Sequence, residues 1–74
     1  VVNEPGDPLT WEDSFAIARV LIRQHPNVNL NNVSLSMIHQ WTIALPDFCD
    51  DSQLVNDGIL CAIYQEWYEE VNAL

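Results

Sequence analysis

Two prolines, Pro26 and Pro46, divide this chain into three apolar-patterned stretches and limit its fold more than any other feature. Proline lacks the amide a helix needs and disfavours helical geometry in the residue before it, so each one marks where a helix stops. Before Pro26, the residues Phe15, Ala18, Leu21 and Ile22 recur at helical spacing, with Ile17 and Val20 widening the stripe. Thr10 can cap that helix, Glu12 and Asp13 suit the positive end of its dipole, and its end falls near Gln24. Between the prolines an asparagine-rich loop runs from Asn27 to Asn32. Val33, Ser34 and Leu35 then read as one short extended piece, and Ser36 caps a second helix, Met37 to Leu45, with Ile38, Trp41 and Leu45 on one stripe. After Pro46, Asp51 or Ser52 caps a longer helix reaching about Val71, with Val55, Ile59, Ala62, Ile63 and Trp67 on its apolar face and Gly58 inside it.

The expectation is a single all-α, three-helix domain over residues 10–74, with at most a vestigial strand. A flexible arm, residues 1–9 with Pro5, Gly6 and Pro8, precedes it. The tight connection from Pro46 to Asp51 permits a helix-turn-helix-like crossing of the second and third helices. At 74 residues one domain is all the chain can build, and 49% hydrophobic content with three Trp, two Tyr and two Phe is enough for a core.

Charge narrows the function. Eleven acids face two arginines and no lysine, a formal net charge of −9. Such a surface repels polyanions and anionic membranes and steers toward basic protein surfaces. Arg19 and Arg23 cannot neutralise a row of phosphates, so nucleic acid binding is excluded despite the helix-turn-helix-like pattern. No run approaches the roughly 18 apolar residues of a membrane span, and a cytoplasmic location is expected. The acids are also segregated: none lies between Ser14 and Pro46, four precede that span and seven follow it.

Three aspartates gather at Asp47, Asp50 and Asp51. Asp50 and Asp51 precede the third helix, where the dipole favours them, but that does not account for Asp47 or for the absence of nearby cations. Clustered carboxylates are also what a hard metal uses, although the spacing is not that of a calcium-binding loop. Glu66, Glu69 and Glu70 sit in the last turns of the third helix, where the dipole opposes them, and Glu66 and Glu70 repel one another at i, i+4. Solubility explains such residues simply; a binding role explains them equally well. His25 and His39 are isolated, without metal-ligand spacing, and His39 beside Trp41 reads as a half-buried hydrogen-bonding residue. Trp11, Trp41 and Trp67 read as core, one per helix. Cys61 falls on the apolar face of the third helix and reads as a buried thiol, whereas Cys49 sits among carboxylates, a setting that argues against a nucleophile. No phosphate loop, catalytic triad or paired buried carboxylates occur, so no enzyme is expected.

Several spaced residues together resemble the IscX family, the small acidic proteins of bacterial iron–sulfur cluster assembly. They are Trp11, Asp13 and Ser14, Pro26, Val33, His39-Gln40-Trp41, then Leu45, Asp47, Phe48, Asp50 and Asp51, and finally Asn56, Ile59-Leu60, Ala62-Ile63 and Trp67. The match runs without a gap from Trp11 to Trp67. The resemblance implies a modified winged-helix arrangement of the helices. It implies a regulator that docks on a basic surface of a pyridoxal-phosphate cysteine desulfurase, in competition with frataxin and ferredoxin, and modulates sulfur transfer. A weak ferrous-iron carrier or sensor is the alternative it offers, with no tightly bound cofactor. The chain departs from the family pattern at Ala16, Arg19, Arg23, Asn27, Asn29 and Cys49, where acids are typical. The expected partner-binding residues are therefore Glu12, Asp13, Asp47, Asp50 and Asp51, with Glu66, Glu69 and Glu70 contributing. Any iron would fall to Asp47, Asp50 and Asp51, and the domain is expected to act as a monomer.

Overall fold

A computed structural model of the chain describes residues 8–72. Three α-helices, α1 (Ser14–Gln24), α2 (Leu35–Ile43) and α3 (Asp57–Val71), make an all-α domain with one short 3-10 turn, Leu30–Asn32. No strand occurs among the described residues; one isolated parallel bridge joins Leu9 to Phe48. No described helix is long and apolar enough to cross a membrane.

Helix α1 starts later than its capping pattern suggests. Thr10 does not cap it: the Asp13 carboxylate turns back and accepts from the Thr10 amide at 3.0 Å and from the Thr10 hydroxyl at 3.2 Å. Residues Thr10 to Asp13 thus form a closed turn, with Asp13 N–H donating to the Thr10 carbonyl at 3.0 Å, and the helix opens at Ser14. Trp11 lies in that turn rather than on the helix. The end at Gln24 is as expected, with His25 N–H donating to the Leu21 carbonyl at 2.9 Å. Residues 1–7 of the expected arm lie outside the described residues, but Leu9 does not belong to an arm. It is 3% exposed, its amide donates to the Asp47 carbonyl at 2.9 Å, and its carbonyl accepts from Cys49 N–H at 2.9 Å.

Helix α2 begins two residues before Met37. Ser34, in extended geometry, accepts from Met37 N–H at 3.1 Å and wins over Ser36 as the cap. That choice draws Leu35 into the helix and leaves no room for the short strand expected at Val33 to Leu35. The helix ends at Ile43, short of Leu45, which Pro46 holds out of helical geometry. Inside it, Thr42 is fully buried and donates its hydroxyl to the Ile38 carbonyl at 2.7 Å, so burial leaves no polar group unpaired.

Helix α3 does not begin at Asp51 or Ser52. Asn56 caps it, accepting from Ile59 N–H at 2.9 Å, and Asp51 to Leu54 form a separate turn. Gly58 consequently falls in the first turn rather than mid-helix, where its conformational cost is smaller. The buried face also differs from the expected one. Leu60, Ile63 and Trp67 point inward, while Ala62 and Cys61 are exposed, so the Cys61 thiol is not a core group. On α1 the inward residues are Ile17, Ala18 and Leu21, and Phe15 is 41% exposed. The α1–α3 interface is the larger seam of the core; α2 closes it chiefly against α3, with Leu9, Trp11 and Leu45 sealing the end nearest the aspartates.

Candidate functional site

The aspartate loop is held by the segment that precedes α1. The Leu9–Phe48 bridge lays Leu9 to Trp11 alongside Asp47 to Asp51. Trp11 then fixes the register twice: its backbone amide donates to the Asp50 carboxylate at 3.0 Å, and its indole N–H donates to the Asp51 carbonyl at 2.7 Å. The indole is 3% exposed, edge-on to Phe48 with centroids 4.7 Å apart, and 5.8 Å from the His39 ring. His39, half-buried as expected, bonds through Nε2 to the Ser52 carbonyl at 2.8 Å. Two buried or half-buried rings thus grip the backbone of the loop, and the loop cannot move without unpairing them.

This packing lays the segment that carries Glu12 and Asp13 alongside the one that carries Asp47, Asp50 and Asp51. The five carboxylates are not equivalent. Asp13 and Asp50 are half-buried and accept from consecutive amides, Thr10 and Trp11. Asp50 also accepts from Asp51 N–H at 2.7 Å, and Asp51 accepts from Gln53 N–H at 2.9 Å. These bonds, rather than a helix dipole, explain why Asp50 and Asp51 stand where they do. Glu12 and Asp47 are exposed and make no side-chain hydrogen bond to another described residue, so their charge faces solvent. No ion pair among the described residues neutralises this face.

Metal binding is a separate matter. A ferrous ion needs several oxygen or nitrogen donors converging on one point. Among the described residues no group of three or more His, Cys, Asp or Glu side chains does so, Asp47, Asp50 and Asp51 included. The described residues do not fit a resident metal.

Glu66, Glu69 and Glu70 form a second acidic set on α3. Glu70 pairs with Arg19 at 3.2 Å and Glu69 accepts from Gln65 Nε2 at 2.8 Å, so partners that α3 lacked in the linear pattern come from α1 and from its own preceding turn. No hydrogen bond or ion pair among the described residues joins this set to the Trp11 face. Trp67 is core; Trp41 is half-buried and stacked on His25 at 3.9 Å. The residues that organise the site, Leu9 and Trp11, carry no charge; the sequence marked Trp11 as core and as part of the family resemblance, and nothing in it singled out Leu9.

A family model described as iron-sulphur cluster assembly matches residues 9–72, a span that begins at the buried Leu9. A protein of Pseudomonas aeruginosa described as uncharacterized is 36% identical over 62 residues, covering 84% of this chain and 94% of that protein.

Proposed function

The chain belongs to the iron–sulphur cluster assembly family that comprises the IscX proteins, and we propose that within it this domain is a non-enzymatic adaptor that docks through its acidic face on a basic surface of a cysteine desulfurase. The observation that supports this reading is the pairing of the segment carrying Glu12 and Asp13 with the one carrying Asp47, Asp50 and Asp51 through the Leu9–Phe48 bridge and the Trp11 contacts, with no ion pair among the described residues to offset these carboxylates. A rigid, uncompensated negative face raises the rate of encounter with a positive one and orients it. Docking near the desulfurase active site would modulate sulfur transfer and would compete with frataxin and ferredoxin for the same basic surface. The domain would work as a cytoplasmic monomer.

Nucleic acid is a poor alternative partner, because Arg19 is engaged by Glu70 and leaves Arg23 as the one remaining arginine. Ferrous iron as a weakly held cargo has less support than docking, since the aspartates do not converge. A pull-down from a cell lysate at low salt tests the proposal. Recovery of a cysteine desulfurase that is lost on raising the salt is expected; absence of any desulfurase under both conditions would sink the reading.

A further inference from the structure

Leu54 is the most exposed large apolar residue of the described chain, at 66%, and it sits in the acidic loop. A single exposed leucine on a loose loop needs no explanation. This one is displayed on a locked turn. Its amide donates to the Asp51 carbonyl at 3.1 Å, and that same carbonyl accepts the buried Trp11 indole N–H at 2.7 Å. Gln53 N–H is held by the Asp51 carboxylate at 2.9 Å and the Ser52 carbonyl by His39 at 2.8 Å. Every residue from Asp51 to Leu54 is thus fixed by at least one hydrogen bond, while the side chain at its end packs against little. Exposed carboxylates stand on either side of it in sequence, Asp51 and Asp57.

We infer that Leu54 is the apolar anchor of the docking face, the side chain that enters an apolar socket within the partner's basic surface. The inference rests on the docking proposal above and adds to it the residue that controls dissociation. Charges on such a rim govern encounter, but screened rim pairs hold a complex weakly. Residence requires a desolvated apolar contact ringed by polar groups, and a pre-ordered anchor enters it with little entropy left to lose. The occupant is a protein surface bearing lysines or arginines around an apolar depression. A second copy of this chain is a poor fit, because two molecules of net charge −9 repel.

The test is the binding kinetics of Leu54→Ala, Leu54→Met and Asp47→Lys on purified cysteine desulfurase, with thermal melts of each variant. Leu54 contributes little to the core, so Leu54→Ala is expected to melt with the wild type. It should bind about tenfold more weakly, through faster dissociation and with the salt dependence unchanged, and Leu54→Met should restore most of the affinity. If Leu54→Ala binds as wild type while Asp47→Lys binds poorly, the anchor is refuted and the docking face stands. If both bind as wild type, the docking proposal itself fails and takes the anchor with it.

Discussion

The backbone amide of Trp11 donates to the carboxylate of Asp50 at 3.0 Å across 39 residues of sequence. This bond divides the acidic face into carboxylates that build the loop and carboxylates that are free to act outward. Asp50 is of the first kind, and its removal should be felt in stability. Asp50→Ala loses a charge-assisted bond to a part-buried amide, worth about 1.5 kcal/mol. Chemical denaturation should show a lower midpoint with an unchanged slope; a midpoint equal to the wild type's would mean that the bond contributes nothing net.

Trp11→Phe keeps an aromatic ring beside Phe48 and removes the indole N–H. The Asp51 carbonyl then retains only Leu54 N–H, and the loop loses one of its two ring-held clamps. A stability loss of about 1 kcal/mol is expected, together with hydrogen exchange at Leu54 that speeds up relative to the wild type by more than at Ile63 in the core of α3. Exchange at Leu54 unchanged from the wild type would show that the turn holds without Trp11.

The Arg19–Glu70 pair is different in kind. Its side chains are 43% and 38% exposed, so Glu70→Gln should cost less than about 1 kcal/mol, and that cost should shrink at high salt. A larger, salt-insensitive loss would indicate that Glu70 packs as part of the core.

For iron, the absence of a converging donor set among the described residues predicts only counterion-like binding there. Amide signals of Asp47 to Asp51 should respond to ferrous ion weakly and no more than to magnesium. A saturable, iron-selective shift at micromolar concentration would restore the carrier reading.

What could be seen in the sequence follows from what acts locally. Proline acts through its own ring and its immediate neighbour, so the stops at Gln24 and before Pro46 were legible, as were three helices and the segregation of charge. Starts were harder, because capping residues also serve turns that precede a helix, as Asp13 does for Thr10. Ser34 prevailed over Ser36, and Asn56 over Asp51, whose carbonyl is engaged by a tryptophan 40 residues away. Helix faces were ambiguous wherever apolar residues ran more than halfway round: Phe15, Cys61 and Ala62 fit a stripe as well as Ile17 and Leu60 did, and only packing decided. The acidic residues of the proposed docking face were singled out by charge and by resemblance. Their division into structural and outward-facing members was not, because the amide that occupies Asp50 comes from Trp11, 39 residues away.

Asp47 gives the most direct test of the central claim, because it is exposed, makes no side-chain hydrogen bond to another described residue, and can be reversed without touching the Trp11 clamps. The measurement is the association rate of Asp47→Lys with purified cysteine desulfurase at low and physiological salt, beside the wild type. An acidic docking face predicts association slower by about tenfold at low salt, a difference that narrows as salt rises, and an unchanged melting temperature. An association rate equal to the wild type's at low salt would contradict the account.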